Sequence, residues 1–260
     1  MKVISLGLGV QSTALYLLSS IDYSISMIER ADYAIFADPG AEHPETYKLF
    51  EKLLTWAKEN NGIPIIYESK SLYKDLLHKI SAGERVASIP AFSKNGEGIL
   101  RRQCTEEYKI SPVMKGIRKL HGLKPRQRMP MTEVWLGISM DEVQRMKDSQ
   151  LPRVTYKYPL VDMGYTRSTC TQFLENRGFI DVVKSSCTFC PYQSDYSWKR
   201  LKTRHPEEFD KAIQIDNAIR HNPKLKEETY LHRSCKPIND VDFESQQDMF
   251  DELCEGYCGL

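Results

Sequence analysis

The stretch Lys2-Val-Ile-Ser-Leu-Gly-Leu-Gly-Val-Gln-Ser-Thr-Ala-Leu-Tyr-Leu-Leu18 decides the fold. Residues 2–6 are β-branched and apolar and read as a short strand. Gly7 and Gly9 interrupt it, and the run from Ser12 reads as a helix. Strand, tight glycine turn and helix, in that order, open a parallel α/β unit. The start of such a helix presents unpaired N–H groups and the positive end of the helix dipole, so it suits phosphate. Glycines ahead of it let an anion approach the backbone. The turn is not a Walker A loop, because the Gly-Lys-Ser/Thr ending is missing. It also lacks the third glycine of a dinucleotide fingerprint. Taken alone, it is either a phosphate cradle or a plain structural turn.

Working outward, Tyr33 to Ala37 reads as a second strand ending in Asp38-Pro-Gly, and Pro44 to Asn60 as a helix with an apolar face at Leu49, Leu53, Leu54, Trp56 and Ala57. Ile63 to Tyr67 reads as a strand and Ser71 to Ile80 as a helix. Residues 82–100 have no clear period and read as a loop or lid. A helix is expected from Thr105 to Leu120, interrupted near Pro112, and then a basic loop to Thr132. Val134 to Ile138 and Tyr156 to Val161 read as further strands, the first ending in Ser-Met-Asp-Glu142. The expectation is an α/β fold with a doubly wound, mainly parallel sheet over residues 1–163. A helical, cysteine-rich C-terminal region would follow over residues 164–260.

The formal net charge of +1 over 260 residues selects neither nucleic acid nor membrane globally. No apolar run approaches the ~20 residues that span a bilayer, and the N-terminus has no secretory-signal pattern. A cytoplasmic protein with no membrane partner is expected. The cysteines number seven, an odd count, and all lie from Cys104 onward. That argues for metal or redox chemistry and against a disulfide framework.

Cys187-Thr-Phe-Cys190, followed by proline, has the spacing that puts two thiolates on one ion or cluster, or that makes a dithiol redox pair. Cys104 and Cys170 are the cysteines best placed to complete four ligands, which would suit a [4Fe–4S] cluster or zinc. Tyr192, Tyr196 and Trp198 would pack over that site. Arg101, Arg102 and Lys109 around Cys104, and Arg167 near Cys170, either grip phosphate or sulfonate or form a solvated face. Cys254 and Cys258, with a glycine between them, are either a swinging thiol pair or a tail clipped to the core. Cys235 reads as a small buried hydrophobe. Beyond strand ends, where doubly wound sheets bind ligands, fall Asp38, Asp141 and Glu142. The plainer reading makes Asp38 a turn cap and Glu142 with Arg145 a surface pair.

Ser5-Leu-Gly-Leu-Gly-Val-Gln-Ser-Thr-Ala14 resembles the pyrophosphate loop of the adenine nucleotide alpha-hydrolase (PP-loop ATP pyrophosphatase) superfamily, and within it the PAPS reductase-like family. Four more segments resemble that family in its own order: Phe36 to Tyr47, Arg102 to Pro112, Leu136 to Met146, and Ser186 to Tyr192. The resemblance implies that Ser5, Gly7, Gly9, Gln11, Ser12, Asp38, Gly137 and Arg145 hold ATP, or PAPS or APS, with magnesium. It implies catalytic roles for Asp38, Asp141, Glu142, Cys254 and Cys258. It tips the metal towards a [4Fe–4S] cluster on Cys104, Cys170, Cys187 and Cys190, with zinc as the alternative. The activity implied is sulfur transfer, in which ATP adenylates an acceptor, DNA or tRNA among them, for thiolation. A cysteine desulfurase or a thioredoxin-type protein would supply sulfur or electrons. A sulfonucleotide reductase and a non-catalytic nucleotide-binding component are the alternatives. Leu8 stands where many relatives have glycine, and Gln11 where ATP pyrophosphatases carry aspartate. The reductases' C-terminal catalytic cysteine motif has no counterpart.

Overall fold

The computed structural model of the chain describes residues 1–84, 89–93, 99–100, 103–220 and 227–243. Its first half runs β1 (Lys2–Ser5), α1 (Val10–Ser20), α2 (Tyr23–Ser26), β2 (Tyr33–Asp38), α3 (Pro44–Glu59), β3 (Ile65–Ser69), α4 (Leu72–Ser81), β4 (Phe92–Ser93) and α5 (Ser111–Leu120). It continues through β5 (Thr132–Leu136), β6 (Val154–Lys157), α6 (Pro159–Asp162), α7 (Arg167–Glu175), α8 (Asp195–Arg204), α9 (Pro206–Arg220) and β7 (Thr229–Tyr230). A π-helical stretch, Glu106–Ile110, leads into α5, and a 3-10 helix, Met140–Arg145, follows β5.

These residues fall into two compact units that share the chain in alternation. The first takes Met1–Asp38, Pro44–Ser69 and Ser111–Ser185, and the second takes Pro39–His43, Lys70–Ile110 and Ser186–Leu260. Residue 163, the expected boundary, lies inside the last segment of the first unit.

The first unit holds a five-stranded sheet in the order β3-β2-β1-β5-β6, and every pair is parallel. Strands buried on both faces read as continuous apolar runs, as Val3-Ile4 and Ala34-Ile-Phe-Ala37 do. Side chains alternate across a strand. Accordingly Ala34 and Phe36 join a core with Leu15, Leu18 and Leu53 of α1 and α3. Ile35 faces the other way, where a Cβ on Gly116 of α5 would stand 3.0 Å from its Cδ1. Helices therefore cover both faces, which fits a doubly wound sheet. From β1 the chain steps outward through β2 and β3, then crosses to β5 on the other side of β1 and steps outward to β6. The winding reverses between β1 and β5.

Two boundaries differ from the sequence reading for local reasons. The strand expected over 156–161 ends at Lys157, because Pro159 cannot donate to the ladder and starts α6 instead. Pro112 lies inside an unbroken helical run over 104–120: the turn ahead of it, Glu106–Ile110, is π-helical, which accommodates the missing N–H, and the helix continues as α5 through Leu120.

The second unit packs α4, α8, α9 and the antiparallel β4–β7 pair around Leu72, Leu76, Phe189, Trp198, Phe209 and Leu231. Ser194 caps α8 by accepting from the Ser197 amide. Asp216, fully buried on α9, accepts from the amides of Leu231 (2.8 Å) and Ile238 (3.1 Å) and pairs with Arg220. Among the described residues no helix is long and apolar enough to cross a membrane.

Candidate functional site

At the carboxyl end of β1 the chain makes the glycine turn and enters α1. Leu8 sits there at φ 58, in the left-handed region. That conformation costs a side-chain-bearing residue about 1–2 kcal/mol. Its fully buried side chain contributes about 2 kcal/mol, which offsets the strain. This is how a leucine occupies a position that suits glycine. Ser12 closes the turn, its hydroxyl accepting from the Gly9 amide (3.2 Å) and donating to the Gly9 carbonyl (3.3 Å). The Thr13 amide reaches the same carbonyl at 3.0 Å and completes the first helical turn. The amides of Val10, Gln11 and Ser12 are those that a helix leaves without an intrahelical acceptor.

The three glycines of the expected site differ. A Cβ on Gly137, just past β5, would fall 2.6 Å from the Ser12 nitrogen and 2.7 Å from its Cα. Gly137 is thus required by the packing of β5's end against α1. A Cβ on Gly7 or Gly9 would meet nothing closer than 3.7 Å and 3.9 Å respectively, and neither has a positive φ. Neither packing nor backbone conformation asks for glycine at these two positions. What their bareness leaves is room for a Cβ beside the backbone at the head of α1.

Gln11, in the first turn of α1, is the hub of a buried network across the β1–β5 switch. Its amide nitrogen donates to Glu142 Oε2 (3.1 Å) and lies 3.4 Å from Ser139 Oγ, while its oxygen accepts from Arg167 Nη1 (3.4 Å). Glu142, buried, also pairs with Arg145 at 2.8 Å. A glutamine amide can donate to a carboxylate and accept from a guanidinium at once. An aspartate at position 11 would set a second carboxylate against Glu142.

The expected acids have partners within the fold. Asp141 accepts from Ser139 Oγ (2.6 Å) and, with both oxygens, from the Arg167 amide (3.0 and 3.3 Å) at the start of α7. It therefore stabilises the positive end of that helix. Asp38, buried at the end of β2, accepts from the hydroxyls of Tyr47 (2.9 Å) and Tyr67 (2.5 Å). Burial and then the hydrogen bond to Asp38 hold the Tyr67 hydroxyl above the usual phenol range. Ser5 ends β1, half-buried and paired in register with Ile35 and Leu136.

Of the four expected cysteine ligands, Cys170 lies in the first unit and Cys104, Cys187 and Cys190 in the second, and among the described residues no group of three or more His, Cys, Asp or Glu side chains is arranged to hold a metal ion. Cys170 belongs to the first unit's apolar core, fully buried beside Leu6, Leu15 and Leu174. Burial first, then the charge of Asp141, pushes its thiol up to about 12, so it is protonated and inert at neutral pH. Cys104 and Cys187 are half-buried against the second unit's core, and Cys190 is half-buried on the same turn as Cys187. That turn tucks Thr188 and Phe189 inside. It is closed by the Cys190 amide on the Cys187 carbonyl (3.0 Å) and braced by Gln193, whose amide donates to the carbonyls of Cys187 (3.3 Å) and Thr188 (2.9 Å). Trp198 is a core residue and Tyr196 is exposed. Cys235 is half-buried, with its thiol 3.6 Å from the Ser93 carbonyl. Arg101, Arg102, Cys254 and Cys258 lie outside the described residues.

Ser139 was missed by the sequence reading, and Arg167 entered it only as one basic residue among several. The signal for Ser139 is the Gly-Ile-Ser that follows β5. Arg167 joins Gln11 through folding alone, from 156 residues away. Compared with known protein families and with curated proteins, the chain matches none.

Proposed function

We propose that the first unit binds an adenine nucleotide with its phosphates over the start of α1, and uses it to activate an acceptor for sulfur transfer. The observation that carries this reading is the pair Gly7 and Gly9, bare without structural need, at the point where the winding of the sheet reverses. In open α/β sheets that crevice is where ligands bind. An anion there is favoured by the helix end by about 0.3–2 kcal/mol, and each hydrogen bond from an amide adds to it. Arg145 and Arg167 supply positive charge from the β5 side, and Gln11 holds both within reach through Glu142 and its own carbonyl.

In the proposed reaction the acceptor oxygen attacks the α-phosphorus of ATP and pyrophosphate leaves; magnesium bound with the nucleotide would supply further neutralising charge. A sulfur nucleophile then displaces AMP from the acceptor. The chain's part is to bind and align the phosphates and to neutralise the charge that develops on pyrophosphate. No step is routed through a metal cluster.

ATP binding to the full chain, measured by calorimetry with magnesium, tests the first half. Gly9→Ala should keep the melting temperature, because its Cβ has room, and weaken ATP by at least about tenfold. If ATP and AMP do not bind at millimolar concentration, or Gly9→Ala binds as tightly as the native chain, the reading fails. Release of pyrophosphate and AMP tests the second half. A non-catalytic nucleotide-binding role has its own support: Asp141 and Glu142 are already engaged inside the fold. Tight ATP binding without turnover on any acceptor favours it.

A further inference from the structure

At the amino ends of β5 and β6, the opposite end of the sheet from the glycine turn, lies a cavity of about 340 Å³. Met114, Met129, Leu151 and Pro152 form apolar walls, and Arg118, Arg128 and Arg153 supply the polar lining. No carboxylate lines it. The segment around it, residues 109–132, carries seven lysines and arginines and no aspartate or glutamate. Within that segment Glu68 takes Lys115 and Lys119. Arg118 is held by carbonyls, through Nη1 to Gln127 (3.1 Å) and Nη2 to Lys124 (2.8 Å). It thereby pins the turn from which Arg128 enters the cavity.

Arg153 is the unexplained residue. It stands at φ 65, where glycine would be unstrained. The turn itself has a purpose: the Arg153 carbonyl accepts from the Thr132 amide (3.0 Å) and sets β6 in register with β5. That accounts for the left-handed backbone and not for an arginine on it. Its Nε is buried without a hydrogen-bond partner, and no ion pair with Arg128 or Arg153 occurs among the described residues. Arg153 as a whole is half-buried, but a guanidinium nitrogen shut away from water beside apolar walls is costly until an acceptor meets the group.

We propose that this cavity binds a small organic acid: a carboxylate, or an equivalent planar oxyanion, on a compact apolar body. The anion would meet the Arg153 guanidinium, with Arg128 closing from the rim. The body would sit between the two methionines, whose flexible side chains adapt to its outline. The volume is at the lower end for ligand pockets, which run from about 300 Å³ upward. A polyanionic strand would be read by exposed cations, whereas here the unsatisfied donor is enclosed. The cavity shares no residue with the glycine turn, which lies at the other end of the sheet.

The test uses the full chain with 2-naphthoate as probe, compared with the neutral 2-naphthalenemethanol, inorganic phosphate and a single-stranded oligonucleotide, by calorimetry. Naphthoate should bind at least about tenfold tighter than the alcohol or phosphate. Arg153→Gly should lose that preference by about tenfold or more while its melting temperature stays level or rises, because glycine accepts the left-handed turn. A structural arginine would do the reverse, lowering the melting temperature and leaving the preference intact. Arg128→Gln, at an exposed position, should weaken naphthoate severalfold in a protein of unchanged stability. No naphthoate binding at millimolar concentration overturns the proposal, as does unchanged binding in Arg153→Gly. So does an oligonucleotide that displaces naphthoate and binds more tightly, since the surface would then belong to a polymer.

Discussion

The two ends of the parallel sheet are built from the same strands and offer opposite kinds of bareness. At the carboxyl end every acidic side chain of the crevice has a partner: tyrosines for Asp38, the start of α7 for Asp141, Gln11 and Arg145 for Glu142. What is left open there is backbone, at Gly7 and Gly9. At the amino end the Arg153 carbonyl is taken up by the Thr132 amide, while the Arg153 Nε is left without a hydrogen-bond partner. One end can therefore meet an anion with amides fixed in place by a helix. The other would meet it with a guanidinium whose position depends on a strained turn.

Substitutions sharpen that contrast, the largest effect coming first. Gly137→Ala drives a Cβ into the first turn of α1, and urea unfolding should record a loss of about 3 kcal/mol. Gly9→Ala, whose Cβ would meet nothing closer than 3.9 Å, should change stability by less than about 1 kcal/mol. Equal losses in both would erase the distinction between the packing glycine and the open ones. Gln11→Leu removes the donor to Glu142 and the acceptor of Arg167 together, and should destabilise by about 2 kcal/mol in the same assay. Asp141→Asn keeps an acceptor at the start of α7 but removes its charge, so a loss of about 0.5–1 kcal/mol is expected. A loss of turnover in that variant without any loss of stability would return Asp141 to the reacting atoms.

The thiols give the smallest effects and the clearest pH dependence. In the unfolded chain the Cys170 thiol titrates near 9.0, and in the fold it is pushed up to about 12. Its contribution is whole below the unfolded value and is lost as pH rises through the folded one. Between those limits the protein should lose up to about 1.4 kcal/mol per pH unit on this account. Cys170→Ala should flatten the slope of stability against pH in that window, though not abolish it, because burial also pushes Tyr16 up to about 12. At pH 8, iodoacetamide followed by peptide mass spectrometry should mark Cys187 and Cys190 well before Cys170.

Much of the first unit was legible because its elements repeat simple periods. The apolar runs of β1, β2 and β5 and the face of α3 carry their structure locally, and glycines and prolines mark their ends. Gly137 could be picked out as a site residue, but its reason is a 2.6 Å approach to Ser12 that no local pattern encodes. Cys170 illustrates the limit from the other side. Its residue type invited a ligand role, whereas the packing of α7 against α1 sets it in an apolar core. Arg153 was invisible for a related reason: an arginine before a strand looks solvated until the left-handed turn sets it beside Met114 and Arg118 of α5.

The alternation of the two units has a consequence for how the chain is made and cut. It passes from one unit to the other five times, at residues 38–39, 43–44, 69–70, 110–111 and 185–186. No single cleavage separates them, and a fragment ending near residue 163 would carry part of each. During synthesis the sheet can close once β6 has emerged, while the second unit's early segments, Pro39–His43 and Lys70–Ile110, wait for α8 and α9. Until then apolar residues such as Leu72 and Leu76, which belong to the second unit's core, lack the partners that bury them.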